Sequence, residues 1–116
     1  MKPSEMKKVH LDSFHIAGFG FWKGCEAFRD LHIGTRLDLV REDDNAFDPY
    51  AVAIYLGDKK LGFVPRGHNH DLSKYLDMGY GRMYELRITR ITPDVHPESQ
   101  VEVILNVVNR DPNKRN

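Results

Sequence analysis

Apolar and polar residues alternate in short runs along most of the chain, and glycine, proline and polar clusters separate the runs. His10 to Ile16 sets Leu11, Phe14 and Ile16 among polar neighbours and predicts a first strand. Arg36 to Arg41 alternates through Leu37 and Leu39, with Val40 following. Ala51 to Leu56 is an apolar run rich in strand formers. Gly57-Asp58-Lys59-Lys60 is a hairpin signal, and Leu61 to Val64 is the return strand, ended by Pro65. Met83 to Ile91 alternates through Leu86, Ile88 and Ile91, and Val101 to Val108 places Val101, Val103, Leu105 and Val107 on one face. Helical spacing occurs twice. Cys25 to Leu31 groups Ala27, Phe28 and Leu31 before a stop at Gly34. Leu72, Tyr75 and Leu76 form an i, i+3, i+4 stripe, with Asn69 or His70 as cap and Gly79 as stop. Six short strands with two short helices predict a mainly β fold, a closed or nearly closed six-stranded β-barrel with helical plugs.

A length of 116 residues suits one core. The expected domain is 9–109, between flexible tails at 1–8 and 110–116. Formal charge is zero, from 17 Lys/Arg and 17 Asp/Glu, but it is unevenly spread. The tails hold Lys2, Lys7, Lys8, Arg110, Lys114 and Arg115 against Glu5 and Asp111, which leaves 11 basic and 15 acidic residues in 9–109. A protein that binds DNA by neutralising many phosphates needs a basic surface. A net-acidic domain can bind nucleic acid only locally, by stacking and a few aimed hydrogen bonds.

No apolar run approaches the ~18 residues of a membrane span, so no membrane partner is expected. The polar start Met1-Lys2-Pro3-Ser4-Glu5-Met6-Lys7-Lys8 leads into no apolar segment, and the expected location is cytoplasmic. Cys25 is the one cysteine, which excludes an intrachain disulfide and reads as a packing residue. No P-loop, nucleophile elbow or Rossmann fingerprint occurs, and the paired acids Asp43-Asp44 lie in a polar loop, so no enzyme is expected. His68-Asn69-His70-Asp71 is half a metal site that no Cys or carboxylate at ligand spacing completes. No metal or cofactor is expected.

Three segments stand out: Gly18-Phe19-Gly20-Phe21-Trp22-Lys23-Gly24; Arg41-Glu42-Asp43-Asp44-Asn45-Ala46-Phe47-Asp48-Pro49-Tyr50-Ala51-Val52; and Leu61-Gly62-Phe63-Val64-Pro65-Arg66. Taken alone they read two ways. Phe21 and Trp22 are either stacking rings or core anchors of a tight loop, and Phe47 is a stacking ring or a core lid. Asp48, before Pro49, is a recognition carboxylate or a turn cap. Arg41 can pair with Asp48 or Asp44, and Arg66 is a phosphate contact or a solvated charge.

In order and spacing, over about residues 9–109, the three segments resemble the HIRAN family. Its pattern is a glycine-flanked aromatic pair, then Arg-Glu/Asp-x-x-Asn-x-Tyr/Phe-Asp-x-x-Ala-Val/Ile, then Gly-Tyr/Phe-Ile/Val-Pro-Arg/Lys. The resemblance implies an OB-like barrel. It also implies a non-enzymatic module that captures the 3′ end of single-stranded DNA, as in eukaryotic fork-remodelling helicases. By motif position, Phe21 and Phe47 would stack on bases, Asp48 would accept the terminal hydroxyl, Arg66 would contact a phosphate, and Asn45 would orient the loop or touch the strand. Trp22 lies beside these rings, and Lys23, Arg41, Arg66 and His68 would form a positive rim. The expected partners are a DNA 3′ end and a protein such as a helicase or nuclease. Gly20 stands where the DNA-end-binding relatives carry arginine, Phe21 replaces tyrosine, Phe63 histidine, Tyr50 asparagine and Ala46 proline. The acidic core and the missing arginine support an alternative, a protein–protein or small-ligand interaction barrel, while the retained Asn45-x-Phe47-Asp48 loop supports the DNA reading.

Overall fold

The computed structural model describes residues 7–109. The strands are β1 (Lys8–His15), β2 (Arg36–Arg41), β3 (Val52–Leu56), β4 (Lys59–Phe63), β5 (Tyr84–Ile91) and β6 (Val101–Val108). Two α-helices, α1 (Gly24–Ala27) and α2 (His70–Asp77), are joined by 3₁₀ turns at Phe28–Asp30, Arg66–His68, Gly81–Met83 and Pro97–Ser99. The expected tails lie outside the described residues except for Lys7 and Lys8. Lys8 opens β1, and the Lys7 carbonyl accepts a hydrogen bond from Asn109 N at 3.0 Å.

All six strands form one antiparallel sheet in the order β1-β6-β5-β2-β3-β4. The fold is mainly β, as the alternation implies. The inward residues pair across the strands: Phe14 with Val103, Ile88 with Val103, Leu86 with Leu105, Leu37 with Leu86 and Leu39 with Ile54. Ala51 through Ile54 are all buried, which is why that stretch reads as a continuous apolar run rather than an alternation.

Irregularities explain where the sequence pattern slips. Register shifts fall at Leu11 in β1, Thr89 in β5 and Leu61 in β4. The extra residue at Thr89 turns the step from Ile88 to Ile91 into three positions. Leu11, apolar in the sequence pattern, sits at the bulge in β1 and is 54% exposed. Bulges increase twist and bend a strand. Here the two ends of the sheet do meet: just past β1, Ala17 exchanges two 2.8 Å hydrogen bonds with Phe63 of β4.

Gly62 makes that meeting possible. Its φ is +155°, and a Cβ there would collide with the Ala17 carbonyl oxygen and lie 2.7 Å from Ile16 Cγ2. At the other side of the sheet the buried Glu85 on β5 accepts Arg87 Nη2 at 3.2 Å and pairs with Lys8 Nζ at 3.0 Å, tying β5 to β1 across β6. The Arg87 guanidinium, with Lys8 adding to it, holds the Glu85 carboxyl down at about 2 from an ordinary 4.5, although burial acts to raise it.

Two outcomes follow for stability. Gly62→Ala should lower it by about 1–3 kcal/mol or more in thermal or denaturant unfolding, because the overlap is with backbone. Glu85 titrates lower in the folded chain than in the unfolded one. Its contribution is therefore complete above pH 4.5 and is lost as pH falls from 4.5 towards 2. Circular-dichroism melts across that window should show a steeper acid loss for the parent than for Glu85→Gln.

Candidate functional site

A cleft of about 380 Å³ opens beside the Ala17–Phe63 junction. One wall is aromatic. Phe19, Phe21 and Trp22 lie within four residues, and the fold separates them. Phe19 is the fully buried anchor, edge-on to Phe28 at 6.1 Å. Gly24 crosses so close to Phe19 that a Cβ there would sit 2.8 Å from its ring. Trp22 meets Phe63 edge-on at 5.8 Å, and Phe21 meets Trp22 edge-on at 5.5 Å while remaining 82% exposed.

The other wall is the loop between β2 and β3. Asn45 Oδ1 accepts the backbone N–H groups of Phe47 (2.9 Å) and Asp48 (3.0 Å), and Asn45 Nδ2 donates to Glu42 Oε1 at 3.1 Å. Asp48 Oδ1 accepts Tyr50 N at 2.9 Å, and Asp48 Oδ2 accepts Nδ2 of the buried Asn69 at 2.9 Å. Of the two expected caps, Asn69 and His70, Asn69 occupies the N-cap position of α2, but its side chain makes no cap bond and braces Asp48 instead. Arg66 donates from Nη2 to the Phe47 carbonyl at 2.8 Å, with Nε 3.8 Å from Asp48. Phe47 itself projects, 85% exposed, so the lid alternative for it does not hold.

The sequence profile of the HIRAN domain matches residues 11–108. The chain belongs to the HIRAN domain family. The fold is similar to the crystal structure of a protein from Lactobacillus plantarum, with TM-score 0.75 and 22% identity over 91% of this chain and 100% of that one. It is also similar to the HIRAN domain of human HLTF, with TM-score 0.62 and 12% identity over 90% of this chain and 81% of that one. No curated protein matches the chain in sequence.

Of the residues singled out in the sequence, this HIRAN domain brings Trp22, Asn45, Phe47, Asp48 and Arg66 together as cleft lining, with Phe21 beside Trp22. Lys23, Arg41 and His68 are placed elsewhere. Lys23 pairs with Glu26 at 3.4 Å. Arg41 lies behind the loop, donating to the Ala51 and Pro49 carbonyls (3.0 and 2.7 Å) and to Asp77 of α2 at 2.9 Å; neither Asp48 nor Asp44 is its partner. His68 Nδ1 sits 2.7 Å from Asp12 Oδ2, with its ring against Phe14. The four cations therefore do not converge as a rim.

Glu42 and Lys60 line the cleft and were not singled out. Lys60 reads as half of a hairpin dipeptide. The bulge at Leu61 breaks the period of two, so that Lys60 and Phe63, three positions apart, flank one ring. With Glu42 and Asp48 facing Lys60 and Arg66, the formal charges of the lining cancel. Gly20 has a local reason as well: a Cβ there would lie 2.7 Å from Pro97, whose turn is pinned by Glu98 accepting Gly18 N at 3.0 and 2.9 Å. Any larger side chain at this position would require Pro97 to shift.

Asn45→Ala should free two loop N–H groups and destabilise the domain by about 1–2 kcal/mol. Hydrogen exchange at Phe47 and Asp48 should quicken well beyond that at β5 and β6, and equal acceleration everywhere would show that Asn45 does not hold this loop in particular.

Proposed function

We propose that this HIRAN domain is a DNA-binding module of the cytoplasm that captures single-stranded DNA at a 3′ hydroxyl end, by binding rather than catalysis, on a closed OB-like barrel. The observation that carries this reading is the pairing of exposed aromatic faces with a braced carboxylate in one charge-balanced cleft. Stacking on Phe47, Phe21 and Trp22 needs no basic surface and contributes roughly 1–3 kcal/mol per base. Asp48 repels phosphate and suits a neutral donor such as a terminal sugar hydroxyl. Its two hydrogen bonds leave lone pairs on each oxygen. A guanidinium has five N–H donors, so Arg66 can hold the Phe47 carbonyl and still contact a phosphate. A captured end would pass to a partner enzyme such as a helicase or nuclease. The strong exposure of Phe21 and Phe47 also suits a second reading, an apolar peptide or small ligand on the same rings.

Fluorescence-anisotropy titrations with short oligonucleotides decide between them. Single strands should bind better than duplex, with a log–log salt slope shallower than about −4, and free 3′ hydroxyl ends better than 3′-phosphorylated ones. Asp48→Asn, which keeps an acceptor for Tyr50 N, should weaken hydroxyl ends by about 1.5–3 kcal/mol and spare or improve phosphorylated ends. Phe47→Ala should weaken both alike. Equal loss of both ends in Asp48→Asn, with a lower melting temperature, would reduce Asp48 to a loop brace. No binding at low salt would favour the second reading.

A further inference from the structure

The cleft contains an ion pair whose placement is unlike that of the other surface pairs. Lys60 Nζ lies 2.5 Å from Glu42 Oε2, 4.0 Å from the Trp22 ring centroid and 4.4 Å from the Phe63 ring centroid. Both partners are largely shielded, with side-chain exposures of 16% and 21%. The ammonium thus covers two of the aromatic faces that line the cleft. The same carboxylate holds Asn45 through its other oxygen, and Asn45 holds the Phe47–Asp48 backbone. Lys60, Glu42 and the recognition loop form one connected network.

A phosphate beside Trp22 would be repelled by Glu42 and attracted by Lys60. The ammonium has three donors on a flexible stem, so it can exchange a carboxylate for a phosphate without backbone movement. We propose that Lys60 is a phosphate-contacting residue of this cleft and that Glu42 is its built-in competitor: Lys60 leaves Glu42 for a phosphate of the bound strand and uncovers the Trp22 and Phe63 rings, so that Glu42 sets the affinity. This inference rests on the single-strand reading above. It assigns to the Lys60–Glu42 pair a role separate from that of the Asp48 loop.

The opposite view is that the pair only braces the loop, and the two views predict opposite signs. Glu42→Gln keeps an acceptor for Asn45 Nδ2 and releases Lys60. If Glu42 competes with phosphate, the variant should bind a short single-stranded oligonucleotide about fivefold tighter at low salt. Its log–log salt slope should stay close to the parent's, because Lys60 makes the same phosphate contact in both complexes. Lys60→Gln should bind more weakly than the parent, with a slope shallower by about 0.7. In a Lys60→Gln background Glu42→Gln should no longer tighten binding. Melting curves establish that each variant is folded. If the parent binds and Glu42→Gln binds equally or more weakly, the pair is a brace and the proposal is overturned. If the parent binds no oligonucleotide, the single-strand reading itself falls and the proposal with it. Tighter binding by Glu42→Gln that persists without Lys60 would assign the gain to another cation and would likewise overturn it.

Discussion

Two hydrogen bonds between Ala17 and Phe63 join the first and fourth strands, and the cleft exists because they do. They hold the chain leaving β1 against the chain leaving β4. That contact sets Trp22 edge-on to Phe63, places Gly18 and Ala17 on one side of the cleft, and brings Arg66 under the loop. The contact is possible only where a strand residue lacks a side chain, because the space beside Gly62 is filled by the Ala17 carbonyl and Ile16. A single missing methyl group therefore governs the spacing of the rings.

The loop opposite is held by a different principle. Its backbone N–H groups find no strand to pair with, and short polar side chains satisfy them: Asn45 takes two, Asp48 takes one, and Arg41 and Arg66 cover the carbonyls of Pro49, Ala51 and Phe47. A buried backbone group without a partner is costly, so this internal satisfaction is what lets an irregular segment keep one shape. Recognition and structure share the same atoms here. Asp48 and Asn45 face the cleft with part of their bonding capacity already used, which aims the remaining lone pairs. In such a loop, loss of a brace and loss of a ligand contact are separable only by comparing ligands that differ in one group.

The strands were legible because burial is one-sided and each run ends in turn chemistry: β2 and β6 coincide with the alternating segments, and β3 with the apolar run. Bulges were not legible. An inserted residue looks like an ordinary step in the pattern, so the exposure of Leu11 and the approach of Lys60 to Trp22 were hidden. The Asn45–Asp48 loop was legible as a motif because local Asn and Asp bonds depend on spacings of two or three residues. The positions of Arg41 and His68 depend on partners far along the chain, Asp77 for Arg41 and Asp12 for His68, and no local spacing encodes those. The aromatic loop shows the same limit: three rings in four positions look equivalent in sequence, and packing against Phe28 selects Phe19 for the interior.

The pairing of β1 with β6 has a consequence for how the molecule comes into being. Lys8 lies opposite Val108, and Gly18 is tied to Glu98, 80 residues away. As the chain leaves the ribosome, the first strand has no ladder partner until the last has been made, only the Ala17–Phe63 contact just past its end. Its apolar residues, Phe14 and Ile16 among them, must wait in solvent or in a loose collapsed state. Such long-range closure is slow compared with local helix or hairpin formation. The aromatic loop is tied to the β5–β6 connection at Gly18, so that fastening waits for the last part of the chain. In a nascent chain lacking β6 every residue that lines the cleft has already been made, yet the strand that leads into its aromatic loop is not yet held in the sheet.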